Sequence, residues 1–270
     1  MRLAFLLILA SAPAAAAEGT LMLVGGGMSQ ELWDRFIAEA GGPDAPIVVI
    51  PTAGGGDDYP ANWSGLELFR KAGMRNVSHL HTYDRAEADT KAFAKSIRNA
   101  RAVWFTGGRQ WRLADSYLDT RVHREIRKLL KRGGIVGGSS AGATIQGEYL
   151  ARGDTATSAV MMGDHERGLA LLPGTAVDQH LLRRNRQFDL LEVIEARPDL
   201  LGIGLDEYTA IVVKKRRFEV IGRSYVAIYD SQRDAPAAGF YFLSPGDQFD
   251  LKTRTPLRPA REGFVPLELH

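Results

Sequence analysis

Gly137-Gly138-Ser139-Ser140-Ala141-Gly142-Ala143 is the stretch on which the reading of this chain turns. A charged helical pattern, Val122 to Arg132, precedes it, and the run Gly133-Gly134-Ile135-Val136 leads into it as a buried strand. Beyond it, Thr144-Ile145-Gln146 can open a helix. A serine spaced as Gly138-x-Ser140-x-Gly142 at a strand-to-helix junction is the pattern of a nucleophile elbow. The requirement is steric: a sharp turn lifts one hydroxyl above the sheet edge, and only small neighbours permit that backbone path. Ala141 would then offer its N–H to a developing oxyanion at the positive end of the following helix. A turn that merely packs a helix against a sheet uses the same small residues, so the motif needs partners elsewhere in the chain.

Working outward, short apolar runs alternate with helical patterns. Thr20 to Val24, Pro46 to Ile50, Val77 to Leu80 and Ala102 to Phe105 read as strands. Gln30 to Ala40, Asn62 to Ala72, Ala86 to Ala100 and Trp111 to Leu118 read as the helices between them. Continuously apolar strands separated by helices predict an α/β fold with a doubly wound, mostly parallel sheet covered on both faces. Glycine clusters follow the strands ending at Val24, Ile50 and Phe105, and in such sheets ligands bind beyond the carboxyl ends of strands. The second half changes character. Ile203–Leu205, Ala210–Val213, Phe218–Ile221, Val226–Tyr229 and Gly239–Leu243 predict mixed or antiparallel additions to the sheet, with Asp247 to Thr255 as a last hairpin arm.

Residues 1–17 carry a short positive start, an apolar run from Leu3 to Ala10 and small residues from Ala14 to Ala17, the pattern of a signal peptide cleaved before Glu18. A secreted or periplasmic protein is therefore expected, free of membrane anchorage after cleavage. The absence of cysteine removes any thiol nucleophile or thiolate metal site. The remaining chain, about 250 residues, can bury one full core, and no linker or repeat divides it, so 18–270 is read as a single domain. Net charge is only +2. The basic run Lys214-Lys215-Arg216-Arg217 falls at a hairpin position between two apolar strands, which makes it a solvated turn rather than a nucleic-acid site. Gly25-Gly26-Gly27 meets Gln30 where a dinucleotide fingerprint needs its third glycine, and no phosphate-cradling P-loop occurs. His79 and His81 have no third ligand placed nearby, so neither metal nor cofactor is expected.

A nucleophilic serine needs a base, and the base needs an orienting partner. Of six histidines, His180 stands out. It ends the strand pattern Thr175-Ala176-Val177-Asp178-Gln179 in polar groups and runs into Arg183-Arg184-Asn185-Arg186, a guanidinium cluster suited to carboxylates. His165, in the polar loop Asp164-His165-Glu166, is the other candidate.

Four segments in register resemble the cyanophycinase and aspartyl dipeptidase family of serine peptidases: Phe105-Thr106-Gly107-Gly108-x-Gln110, Gly138-x-Ser140-Ala141-Gly142-Ala143, Asp178-Gln179-His180-x-x-x-Arg184-x-Arg186, and Gly202-Ile203-Gly204-x-Asp206-Glu207-x-Thr209-Ala210. The resemblance runs from about Leu21 to Ile221. It implies a class I glutamine-amidotransferase-like fold, flavodoxin-like with a nucleophile elbow, and cleavage next to aspartyl residues. Cyanophycinases release β-Asp-Arg dipeptides from a polymer with an aspartate backbone and arginine side groups. Carried onto this chain, Ser140 becomes the nucleophile and His180 the base, with the N–H groups of Gly108 and Ala141 as oxyanion hole. Gln110, Asp178, Gln179, Arg184 and Arg186 would line the substrate pocket, Asp178 facing a substrate guanidinium. The implied partner is an aspartyl peptide or a cyanophycin-type polymer, and the fold allows a homodimer. The orienting acid is expected between nucleophile and base. Ala156-Thr157-Ser158 holds none, so Asp154 ranks first, ahead of Glu148, Asp164 and, from another loop, Glu207. Two departures bear on specificity: Arg109 where cyanophycinases commonly carry Asn, and Asp189 where a third arginine is expected. Other amidases or esterases, and a small-molecule binder without catalysis, are the alternatives on the same fold.

Overall fold

The computed structural model describes residues 19–233 and 238–258; the leader read over 1–17 lies outside them. In chain order the elements begin with β1 (Thr20–Val24), α1 (Gln30–Ala40), β2 (Ile47–Ile50), α2 (Leu66–Lys71), β3 (Val77–His79), α3 (Arg85–Ala88) and α4 (Lys95–Asn99). They continue with β4 (Ala102–Phe105), α5 (Gln110–Tyr117), α6 (Arg121–Lys131), β5 (Ile135–Ser139), α7 (Ala141–Thr144), β6 (Gly147–Tyr149) and β7 (Leu172–Gln179). The remainder are α8 (Leu190–Ala196), β8 (Leu201–Leu205), β9 (Thr209–Lys214), β10 (Arg217–Gly222), β11 (Val226–Tyr229), β12 (Tyr241–Leu243), β13 (Gln248–Asp250) and β14 (Thr255–Leu257).

Local chemistry explains where helices start and stop. Ser29 caps α1 by accepting the Leu32 N–H at 3.4 Å, and Gly41 closes it at φ 99°. The helix expected over Ala86–Ala100 is broken into α3 and α4. Thr90 lies in the break; its hydroxyl donates to the Glu87 carbonyl at 2.9 Å and accepts the Phe93 N–H at 3.1 Å, a local bonding pattern that competes with helix propagation.

Nine strands form the main sheet in the order β14-β13-β10-β9-β1-β5-β4-β2-β3. The β1-β5-β4-β2-β3 half is parallel, and β9, β10, β13 and β14 add antiparallel to its β1 side, as the change in pattern predicted. The basic run lies at the β9–β10 turn, with Lys214 opposite Arg217. In contrast to a single extended sheet, β8, β11 and β12 join β6 and β7 in a separate five-stranded sheet of order β12-β11-β8-β7-β6.

The period of two along β1 shows why a second layer is required. Leu21 and Leu23 point into one core, shared with Val136, Ile211 and Val213 of the main sheet and with Val177, Ile203, Val226 and Ile228 of the second. Met22 and Val24 point into the other core, beneath Leu32, Trp33 and Phe36 of α1 and Phe69 of α2. Both faces of the sheet are therefore apolar and both must be covered: α1 and α2 on one side, α5, α6 and the second sheet on the other. Because β1, β4 and β5 are parallel neighbours, Gly25–Gly27, Thr106–Gly108 and Ser140 emerge on one rim. The end of β7 crosses to that rim through the His180 N–H, which donates to the Gly25 carbonyl at 3.0 Å.

Candidate active site

Ser140 sits between β5 and α7 at φ 58°, ψ −118°, a left-handed backbone that costs an ordinary residue of order 1–3 kcal/mol. Its N–H donates to the Val24 carbonyl at 3.0 Å, and its own carbonyl accepts from Ala143 and Thr144 to start α7. The flanking glycines are dictated by close approach. A Cβ on Gly138 would stand 2.3 Å from the Gly142 carbonyl oxygen, and one on Gly142 would stand 2.2 Å from that of Phe105. Gly107 is beside the hydroxyl: a Cβ there would lie 3.7 Å from Ser140 Oγ. Within the described residues the N–H groups of Gly108 and Ala141 donate to no protein acceptor, which leaves both free for a ligand oxygen.

Ser140 Oγ lies 3.0 Å from His180 Nε2, and His180 Nδ1 lies 2.7 Å from Glu207 Oε1. With Nδ1 donating to the carboxylate, Nε2 accepts the serine hydroxyl proton, the tautomer a general base requires. His180 and Tyr208 both adopt positive φ (55° and 54°), so two sharp turns aim the imidazole and the carboxylate at each other. The Tyr208 N–H donates to the Gly26 carbonyl at 2.6 Å, tying the Glu207 turn to the rim. Gly26 itself must lack a side chain, since a Cβ would stand 2.4 Å from His180 Cε1. Burial holds the His180 pKa below its ordinary value; Arg184 and Arg186 act in the same direction, and the Glu207 hydrogen bond and charge oppose them. The imidazole is thus kept neutral, and able to accept a proton, at neutral pH.

The acid expected at Asp154 is elsewhere in the structure. The Asp154 carboxylate accepts the Thr157 N–H and its carbonyl accepts Arg109 Nη2 at 2.7 Å, so it shapes its own loop and makes no contact with His180. Glu148 accepts the Gly174 N–H, and Asp164 bonds Thr155 and His165. His165 pairs with Asp115 at 2.7 Å, which leaves Nε2 of His180 as the imidazole nitrogen on the serine. The signal for Glu207 was present in the Asp206-Glu207-x-Thr209-Ala210 segment, but proximity in sequence favoured the wrong loop.

The polar pocket is also rearranged relative to expectation. Asp178 is fully buried and cannot face a substrate guanidinium, because Arg152 holds it in a bidentate pair at 2.8 and 2.9 Å. The same guanidinium bonds Asp189, so one positive charge faces two carboxylates, and the field of both also reaches Arg186. Burial works against the Arg152 charge, and the two carboxylates outweigh it and raise its pKa. Nothing in the sequence marked Arg152; its role follows only from the buried charges around it. Gln110 is buried and donates to the carbonyls of Ala151 and Arg152 at 2.7 and 2.9 Å, fixing the turn after β6 that carries this arginine. Gln179 accepts Arg186 Nη1 at 3.2 Å on both its side-chain and backbone oxygens. Arg186 is half-buried with no carboxylate partner among the described residues, and Arg184 is exposed beside it. Arg184 and Arg186, neither in an ion pair among the described residues, stand next to the serine–imidazole–carboxylate line, where their N–H groups can meet an anionic ligand.

A hydroxyl on a strained strand-to-helix turn, an imidazole within hydrogen-bond reach and two free N–H groups define, on this α/β fold, a serine-type hydrolase. Comparison with known proteins narrows the class. The model of Peptidase family S51 matches residues 21–221. The cyanophycinase of Geminocystis herdmanii (strain PCC 6308) is 31% identical over 268 residues, covering 89% of this chain and 96% of that protein. The cyanophycinase of Trichormus variabilis (strain ATCC 29413 / PCC 7937) is 32% identical over 267 residues, covering 89% of each. Among solved structures, a peptidase from an acI-B1 Actinobacterium shares the fold with a TM-score of 0.66 at 22% identity, over 87% of this chain and 98% of that one. A putative peptidase E from Listeria monocytogenes EGD-e gives 0.55 at 18% identity, over 77% and 100%. The chain belongs to peptidase family S51 and is a serine-type peptidase.

Proposed function

We propose that this peptidase cleaves peptide bonds next to aspartyl residues, with Ser140 as nucleophile, His180 as general base and Glu207 as the acid that orients it. The observation that carries this reading is the unbroken line Ser140 Oγ–His180 Nε2 at 3.0 Å and His180 Nδ1–Glu207 Oε1 at 2.7 Å. Nε2 takes the hydroxyl proton as Oγ attacks the carbonyl carbon, Gly108 and Ala141 N–H groups receive the developing oxyanion, and the imidazolium then protonates the leaving amine. Water, deprotonated by the same imidazole, releases the acyl group and restores the serine. Arg186, with Arg184 beside it, takes the free carboxylate of the substrate: the aspartyl one in a short peptide, the arginyl one where arginine is joined to the aspartyl side chain. The relatives named cyanophycinase support a cyanophycin-type polymer as one substrate, with β-Asp-Arg dipeptides as its product.

The leader pattern over 1–17 supports export, and we read 18–270 as one peptidase domain acting in the periplasm or outside the cell. A mature amino terminus at Glu18 in the exported protein is the expected result; retention of Met1 in the cytoplasm would end this part of the reading. For the reaction, mass spectrometry of products from cyanophycin and from α- and β-linked Asp-Xaa dipeptides is the test. Aspartyl cleavage products formed by the wild type and absent with Ser140→Ala are expected. Equal cleavage by both proteins, or none of any aspartyl peptide, would overturn the proposal.

A further inference from the structure

On the other side of Ser140 from the guanidinium groups lies a second chamber. Its volume is about 390 Å³, and Met28, Trp33, Tyr59, Trp63, Phe69 and Trp104 form much of its wall. Gly107 belongs to both sites: it lines the chamber, and a Cβ on it would lie 3.7 Å from Ser140 Oγ. Trp33, Phe69 and Trp104 belong to the core under α1 and α2, whereas His180 and the two arginines come from the side of the second sheet. The serine thus stands at the border between a cationic compartment and an aromatic one.

The aromatic compartment is preformed. Its floor is packed ring on ring, Trp33 and Phe69 edge to face with centroids 5.3 Å apart and Trp33 and Trp104 tilted at 46° with centroids 4.9 Å apart. Its outer wall is pinned: Tyr59 Oη donates to the Pro51 carbonyl at 3.0 Å, the Tyr59 carbonyl lies 2.7 Å from His79 Nε2, and the Tyr59 ring packs on Trp63 at 4.9 Å. Among the described residues that line it, none carries a charge. A buried guanidinium or ammonium would find no carboxylate there and would have to remain at the mouth, whereas an apolar side chain can fill the space.

We propose that this chamber is the subsite for the residue joined to the aspartyl residue through the scissile bond, and that it selects a large uncharged apolar side chain. The inference rests on the aspartyl-peptidase reading above and adds short aspartyl peptides carrying leucine, methionine or phenylalanine to its substrates. With aspartate held by Arg186, the chain crosses Ser140 and places its neighbour against Met28 and the tryptophans.

The test compares kcat/KM for Asp-Phe, Asp-Leu, Asp-Gly and Asp-Arg, α- and β-linked, in the wild type and in Leu68→Glu, a change at an exposed lining residue. Phenylalanine and leucine should exceed glycine by about 10–100-fold, the discrimination a well-filled apolar pocket provides, and should not fall below arginine. Leu68→Glu should shift the ratio toward Asp-Arg by roughly tenfold, through a carboxylate placed at the mouth. Equal rates for phenylalanine and glycine, or a wild-type preference for arginine, would overturn the subsite while leaving the aspartyl reading intact. If no aspartyl peptide is cleaved, that reading fails and the chamber is judged by binding alone. Tryptophan fluorescence of Ser140→Ala should then saturate with N-acetylphenylalaninamide and not with N-acetylargininamide, and the absence of that difference would refute it.

Discussion

Glu207 Oε1 lies 2.7 Å from His180 Nδ1, although 27 residues separate the two in the chain. The contact is made by two left-handed turns, one closing β7 at His180 and one at Tyr208 between β8 and β9, that face each other across Gly26. Replacing the carboxylate by an amide keeps the shape but no longer stabilises the imidazolium. Glu207→Gln should therefore lower kcat by about 10³–10⁴-fold with little change in KM. Asp154→Asn, in a loop that does not touch the imidazole, should change kcat by less than about tenfold. Steady-state kinetics of the two variants on one aspartyl peptide checks the assignment, and the reverse order of effects would reject it.

Ser140→Ala and His180→Ala should each remove about 10⁶ of kcat, and the double variant should lose little more, because nucleophile and base act as one unit. A double variant whose loss is the product of the single losses would show that His180 acts in some other step.

The acid limb of kcat/KM should fall below pH 6.5, the ordinary imidazole value, because burial and the nearby arginines hold the His180 pKa down. The sign is set by the base: activity needs neutral imidazole, so it is retained down to the lowered pKa and lost as pH falls through it. Arg184→Gln removes a cation that disfavours imidazolium and should move the limb to higher pH. Glu207→Gln removes the opposing carboxylate and should move it to lower pH. Shifts in the same direction for both variants would contradict the electrostatics of the site.

Arg152→Ala would leave Asp178 buried and uncompensated, which typically costs about 3–5 kcal/mol. A lysine cannot reproduce the two parallel contacts to Asp178 together with the bond to Asp189, so Arg152→Lys should recover only part of the loss. Thermal denaturation of the purified variants reads this, and a Tm for Arg152→Ala within a degree of wild type would refute the pair as a structural element.

Arg186 uses Nη1 on Gln179, and its other nitrogens have no partner among the described residues. Arg186→Lys should lower kcat/KM on aspartyl peptides by roughly 10²-fold, since an ammonium cannot offer the planar fork to a carboxylate. An unaffected variant would place the aspartyl carboxylate on Arg184 or outside this cluster.

Much of this protein was legible in one dimension. Alternating apolar runs and helical patterns predict the parallel half of the main sheet, because a strand buried on both faces reads as a continuous apolar segment. The elbow was legible for the same kind of reason: a Cβ on Gly138 or Gly142 would stand 2.3 or 2.2 Å from a backbone oxygen, and a constraint that local leaves a local signature. His180 and the two arginines beyond it were legible as polar residues ending a strand. The separate second sheet was not, since period-two alternation says that a face is buried and not which strands bury it. The partner of His180 was hidden for the same reason. Sequence spacing favoured Asp154, which in the fold serves the Thr157 turn, while Glu207 reaches the imidazole only because β1 and the ends of β7 and β8 meet at one rim. Arg152 is the clearest case. Sequence determined that Asp178 and Asp189 were acids near a histidine; only the tertiary structure decided that one buried guanidinium takes both, because a charge removed from water must find its counter-charge wherever the fold brings one within reach.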